Sequence, residues 1–276
     1  MGRTTIYKMH KLLSRLKKLI ICLGGLRKTF RLRLFGSTLT VDYTLRAIKP
    51  DRDYSIILQL AKGKKCVFDI GANHGIVSLL ISSQNKDMQV YAFEASEAAV
   101  NIINHHIRLN NLTGRVKAIN ALIAERSGYT IPFYWQDSSG GASITKGRLG
   151  HTIEVEKVTL SIDDFVLYKS IFPDFIKMDI EGAESLAIKG MKYTLTSVRP
   201  LIMIELHGLG SKSLAENAAE ILEYIRDFNY LMIYLRTGGV ISDSDVLKDR
   251  GRCHVLLMPV EFYSEAFVSE LDKSGL

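Results

Sequence analysis

Cysteine is scarce in this chain: Cys22, Cys66 and Cys253 are the only three in 276 residues, far apart and without a CxxC pair. That excludes a disulfide framework and argues against a structural zinc centre, so the chain reads as one for a reducing, cytoplasmic setting. Proline is rarer than its average usage, five in all, which excludes a long Pro-rich linker. There is no low-complexity tract and no internal repeat. The apolar run LIICL near the N-terminus falls far short of the ~20 residues that span a bilayer. No small-residue cleavage site follows it, and Ile6 stands where a myristoylation signal needs a hydroxyl.

Acid is absent from residues 1–36, which hold ten of the 36 Lys and Arg. The formal charge of +7 therefore belongs to one end of the chain, and the rest is slightly acidic. A basic face for nucleic acid on the main body is not expected. Within the basic segment, Ile6, Met9, Leu12, Leu13, Leu16, Leu19, Ile20 and Leu23 share one helical face, opposite Lys8, Lys11, Arg15 and Lys18. Two uses are open to such a helix: peripheral contact with an anionic membrane surface through residues 6–23, or packing on the main domain or a second subunit. The division expected is a basic amphipathic extension over 1–49 and a single α/β domain over 50–276.

From residue 50 the pattern alternates between helix and strand. A helix is expected over 51–63, then strands at KCVFDI, MQVYAFE, RVKAINAL, DFIKMDI, RPLIMIEL, YLMIYLR and RCHVLLMPV, with helices over 75–84, 96–111 and 213–228. The near-continuous apolar strands predict a parallel sheet covered on both faces. Seven strands, with an antiparallel finish, make a Rossmann-like doubly wound sheet of the methyltransferase type. The stretch 129–160 alternates instead and predicts an inserted β-hairpin over the ligand-binding edge; acceptor specificity is expected there and in the N-terminal segment.

Chemistry concentrates at strand ends. VFDIGANHG (67–75) is a strand bearing Asp69 followed by a turn in which Gly71 and Gly75 free the backbone for a tight bend and close approach to a ligand. The dinucleotide fingerprint needs a glycine where Asn73 stands, which tilts the pocket away from a pyrophosphate. Asp69 suits an ammonium, and Glu94, ending VYAFE, suits two ribose hydroxyls. Asn120 has two readings, an adenine contact or a turn cap.

DFIKMDIEGAES places Asp179 and Glu181 beside the same cleft, where unpaired acids are costly unless they bind something. Glu184 suits the first turn of the following helix, and Lys177 reads as structural. IMIELHG sets Glu205 and His207 on one strand face. His207 can serve as a general base if its pKa stays near neutrality, or can be a bonded structural histidine. Glu205 can orient it or join Asp179 at a divalent metal, though the spacing alone does not establish one. His105 and His106 read as surface residues of a helix.

These segments, taken in order with SIDDF at 161–165, resemble the FkbM family of S-adenosylmethionine-dependent methyltransferases from about residue 65 to 210. The resemblance implies O-methylation of a hydroxyl on a sugar, glycolipid or natural product. It implies Asp69, Gly71, Asn73, Gly75 and Glu94 around the cofactor, and Asp179, Glu181, Glu205 and His207 as the active-site set. Ser96–Glu97 depart from the family, which often has a proline there. Three rivals stand beside it: a nucleic-acid methyltransferase, disfavoured by the absence of an N-P-P-Y segment; a nicotinamide-dependent oxidoreductase, disfavoured by Asn73; and a non-catalytic, membrane-associated protein of the same fold.

Overall fold

The computed structural model describes residues 28–135, 142–144, 153–250 and 252–273. The amphipathic stretch 6–23 lies outside the described residues, as does much of the tip of the insertion. No helix among the described residues is long and apolar enough to cross a membrane.

The chain first forms an antiparallel hairpin, β1 (Thr29–Leu34) and β2 (Ser37–Asp42). Its two-residue turn holds Phe35 and Gly36 at φ +47° and +76°, as a tight hairpin of this hand requires. The hairpin buries Leu34, Leu39 and Val41 in the same core as the helices that follow. Helix α1 (Arg52–Ala61) leads into β3 (Cys66–Ile70), α2 (Ile76–Gln84), β4 (Gln89–Glu94), α3 (Glu97–Leu109) and β5 (Val116–Asn120).

The insertion follows as β6 (Leu122–Ile123), β7 (Thr130–Trp135), β8 (Ala142–Ser143) and β9 (Ile153–Leu160). Then come α4 (Ile162–Lys169), β10 (Phe175–Met178), α5 (Glu184–Lys189), β11 (Leu201–Leu206) and α6 (Leu214–Arg226). The chain closes with β12 (Tyr230–Tyr234), β13 (Gly239–Ile241), β14 (Cys253–Pro259) and α7 (Glu265–Lys273).

The main sheet has the order β13-β12-β14-β11-β10-β3-β4-β5. The five strands from β11 to β5 are parallel, and β14 runs antiparallel between β11 and β12. This is the expected doubly wound α/β sheet with an eighth strand, because β13 pairs with β12 inside a stretch that reads as a loop. In the insertion, β7 and β9 pair antiparallel as predicted, within a small separate sheet that β6 and β8 complete.

Side chains alternate across the main sheet. Val67 enters a core with α1, α2, α3 and the N-terminal hairpin, while its neighbour Phe68 enters the opposite core with α4, α5 and α6. Chain order reverses between β3 and β10. A crevice forms at the carboxyl ends of strands flanking such a reversal, and Asp69 lies in register with Lys177 across it.

Candidate active site

The turn after β3 is shaped by its neighbour. Gly71 has φ +76°, and a Cβ there would lie 1.7 Å from the carbonyl oxygen of Asp179. Glycine is therefore required by the meeting of two strand ends, whereas the sequence suggested approach to a ligand. Gly75, at φ +85°, opens α2, and a Cβ there would press on Ile103 of α3 at 3.2 Å. Asn73 itself sits at φ +50°, a conformation that Asn tolerates better than most residues. No side chain caps the start of α2, which leaves its first amides open.

Asp69 is fully buried. Its Oδ2 accepts from the Ser78 hydroxyl at 2.6 Å, while Oδ1 has no hydrogen bond and faces Lys177 Nζ at 3.6 Å. The same ammonium lies 3.7 Å from Asp179 Oδ2 and donates to the Gly71 carbonyl at 3.3 Å. Burial opposes its charge, but Asp179 and Asp69 outweigh that and hold its pKa above the ordinary lysine value. Lys177 thus belongs to the site, joining the ends of β3 and β10.

Glu94 is buried and accepts from the Asn73 amide at 2.9 Å and the Ser96 amide at 2.8 Å, one on each oxygen. Burial raises its pKa against the pull of those amides. Each oxygen retains a lone pair, so the bidentate role expected of it is sterically compatible with these bonds. The amide of Asn120 is engaged on both ends: Nδ2 donates to the carbonyls of Glu94 and Ala95 at 2.9 and 3.0 Å, and Oδ1 accepts from Lys157 at 3.1 Å. It ties the end of β4 to the insertion.

The second group centres on His207, which four carboxylates surround. Nδ1 lies 3.4 Å from Glu184 and 3.8 Å from Asp179, and Nε2 lies 3.4 Å from Glu205 and 4.0 Å from Glu181. Burial opposes protonation, but the bonds to Glu184 and Glu205 and the charge of Asp179 push its pKa up to about 10. The near-neutral pKa expected of a base is therefore not what this environment produces; His207 is an imidazolium at pH 7. Asp179, Glu181 and His207 each offer a ligand atom within 4.8 Å of the others, and the imidazolium supplies positive charge to that acid group.

Asp179 Oδ1 is buried without a hydrogen bond. Burial pushes the Asp179 carboxyl up to about 6, with Lys177 resisting and Glu205 adding to the rise. Glu205 goes the other way: burial opposes its charge, yet His207 and His254 hold it well below the usual carboxylate range. Its Oε2 faces His254 Nε2 at 3.2 Å and its Oε1 accepts from Arg252 at 3.0 Å.

A cavity of about 690 Å³ opens at the crevice. Gly71–His74, Ile76 and Val77 line one side, with Lys177, Met178 and Asp179 at its back. Glu205, Arg252 and His254 line it further along, and Tyr43–Ile48, Asp51, Asp53 and Tyr54 face them. Of the residues predicted for catalysis, Asp179 and Glu205 line this cavity and Glu181 and His207 do not; of those predicted for the cofactor, Gly71 and Asn73 line it.

Residues 69–232 match the methyltransferase FkbM domain. This chain belongs to that family. Among similar proteins, methyltransferase sdnD of Sordaria araneosa is 22% identical over 157 residues, which are 45% of this chain and 60% of that protein. A methyltransferase FkbM structure from Methylobacillus flagellatus has 19% identity and a TM-score of 0.47, covering 70% of this chain and 43% of that one. An O-methyltransferase from Bacillus cereus in complex with SAH has 14% identity and a TM-score of 0.45, covering 75% and 78%. The matched part of the chain thus spans 60% and 43% of the length of the first two proteins.

The FkbM match contains every site residue that the sequence singled out. It leaves out Asp53, Arg252 and His254, which only the cavity reveals. Glu184 opens α5, in the first turn where the sequence put it, and it is fully buried there, accepting from the Gly182 amide at 2.9 Å and from Asn217 at 2.7 Å while it faces His207. One further reading changes. His106 is not a surface residue: it is fully buried, with Nε2 at 3.2 Å from the Asp42 amide and Nδ1 at 3.0 Å from the His74 carbonyl. A helix that reads as solvent-facing on this side is covered by the β1–β2 hairpin, and its histidine joins that hairpin to the turn after β3.

Proposed function

We propose that this FkbM-domain chain transfers a methyl group from S-adenosylmethionine to a hydroxyl of a glycan, glycolipid or natural product. The observation that carries the cofactor assignment is a pair of buried carboxylate oxygens without hydrogen bonds, Asp69 Oδ1 and Asp179 Oδ1, on either side of the Gly71 turn. Lys177 faces both carboxylates, and His207 Nδ1 adds a second cationic neighbour 3.8 Å from Asp179 Oδ1. With Glu94 and Glu205 close by, the crevice is rich in acid, which favours a ligand bearing ammonium and sulfonium charges and repels a pyrophosphate.

Around such a cofactor, Glu94 has lone pairs for the ribose hydroxyls, and the uncapped start of α2 suits a carboxylate. When bound, S-adenosylmethionine supplies an electrophilic methyl group. The chain's contribution is to hold the acceptor oxygen in line with it and to take the acceptor's proton. Asp179 is the residue for that proton: it lines the cavity, and burial lifts its carboxyl to about 6, nearer neutrality than an ordinary aspartate. His207 and Lys177 steady the carboxylates as charge moves.

Isothermal calorimetry with S-adenosylmethionine and with NAD tests the cofactor, and the reading predicts heat for the first only. Binding of NAD in its place would reject it. Transfer of a tritiated methyl group to glycans, lipid-linked sugars and hydroxylated natural products then tests the acceptor class.

A further inference from the structure

Nothing in the family match assigns the far wall of the cavity. The match covers residues 69–232, yet Tyr43–Ile48, Asp51, Asp53, Tyr54, Arg252 and His254 all line the cavity from outside it. Two segments about 200 residues apart in sequence thus converge on the site. They meet through His254, whose Nδ1 lies 3.4 Å from Asp53 at the start of α1 and whose Nε2 lies 3.2 Å from Glu205 at the end of β11. Antiparallel pairing fixes that meeting, because Glu205 and His254 are direct partners in the β11–β14 register.

The inserted β-hairpin is the natural rival for the acceptor. None of its described residues lines this cavity. Its inward face packs Phe133 against Ala95 and Leu122 instead, and Asn120 links it to the end of β4.

We propose that Asp53, His254 and Arg252 form the acceptor wall, in which His254 holds Asp53 and Glu205 in place while Asp53 and Arg252 meet the acceptor hydroxyl. The proposal rests on the methyl-transfer reading above. Carboxylate, imidazole, carboxylate and guanidinium alternate along Asp53, His254, Glu205 and Arg252. Both ring nitrogens of His254 are taken by its neighbours in the row, whereas the second oxygen of Asp53 and the further N–H groups of Arg252 keep bonding capacity. A polar acceptor can use that capacity, whereas an apolar one would bury it unpaired at a cost. The family core then supplies the methyl-donor half of the site, and the flanking segments supply the acceptor half.

The test needs no knowledge of the acceptor. An S-adenosylmethionine analogue with an aziridine in place of the sulfonium alkylates whichever nucleophile stands where the acceptor oxygen would stand. The nucleophile bonds to a ring carbon, the carbon–nitrogen bond opens, and the nitrogen keeps the electron pair and takes a proton, so nothing leaves. The full chain is incubated with this analogue and digested, and the adducts are located by mass spectrometry.

An adduct on Asp53 is expected, and it should be lost in Asp53→Asn while calorimetric binding of the analogue persists. Adducts only on Asp179, Lys177 or the insertion, or none at all despite binding, overturn the wall. Absence of S-adenosylmethionine binding to the wild-type chain would sink the methyl-transfer reading first, and calorimetry with that compound alone tells the two failures apart. Arg252→Ala, at a largely exposed side chain, serves as a folding-tolerant second variant and should weaken Asp53 labelling at least threefold, because freeing Glu205 loosens the His254 bridge that holds Asp53.

Discussion

His207 Nδ1 stands 3.4 Å from Oε1 of Glu184, a carboxylate with no solvent exposure. The imidazole and that carboxylate thereby form a buried ion pair that favours the protonated ring. Removing one partner of such a pair leaves the other charged and buried. Glu184→Ala is expected to cost about 3–5 kcal/mol in urea denaturation at pH 7. Glu184→Gln should cost less and lower the His207 pKa, read by NMR of the ring.

The same pair makes stability depend on pH. Folding raises the pKa of His207 from its ordinary value of 6.5 to about 10. A raised pKa contributes stability that is complete below the unfolded value and is lost as pH rises through the folded one. The stability difference between wild type and His207→Gln should therefore be greatest near pH 6 and shrink steadily between pH 6.5 and 10. A difference that grew over that range would contradict the protonated state.

Asp179 yields a rate prediction and a stability prediction from one shift. Methyl transfer should rise with pH through about 6, as its carboxyl loses its proton, and then level off. Asp179→Asn should lower kcat about a hundredfold or more. Its folded pKa lies above the unfolded value of 3.8, so the group's contribution is lost as pH rises through 6. The Asn variant should accordingly melt higher than wild type at pH 7.

Gly71 and Gly128 form a matched pair. Both have positive φ, but a Cβ at Gly71 would strike the Asp179 carbonyl at 1.7 Å, whereas nothing lies within 4 Å at Gly128. Gly128→Ala should cost roughly 1 kcal/mol for its backbone conformation alone. Gly71→Ala adds an overpacking cost of about 1–3 kcal/mol or more and parts β3 from β10. Equal denaturation midpoints for the two variants would remove the packing account.

Glu94→Gln preserves shape and removes charge. Charge-assisted bonds are worth about 1.5–3 kcal/mol, so S-adenosylmethionine affinity should fall tenfold or more by calorimetry. NAD should still fail to bind.

Strand ends were the legible part of this molecule. Apolar runs closed by an acid mark β3, β4 and β10 without ambiguity, because a parallel sheet buried on both faces needs continuous apolar strands. In the N-terminal hairpin Phe30, Leu32 and Leu34 alternate with Arg31 and Arg33, a period of two that the basic helical pattern before it masks. The burial of His106 has no such signal. Sequence periodicity says which residue faces off a helix, but not what covers that face. The His207 shift was illegible in principle, since it arises from Glu184 and Glu205, which lie on separate elements and meet only across α5 and β11. Asp53 and His254 carry no motif at all, and only pairing of β14 with β11 brings them together.

That pairing has a consequence for how the protein is made. Synthesis runs from the N-terminus, and domains begin to fold as they emerge. The strands β3, β4, β5, β10 and β11 can assemble while β14 is still unmade, with β11 exposing an unpaired edge. β14 then enters between β11 and β12, a long-range step of the kind that slows folding. His254 arrives with it. The Gly71 side of the cavity can therefore form before its His254 side, which waits on β14.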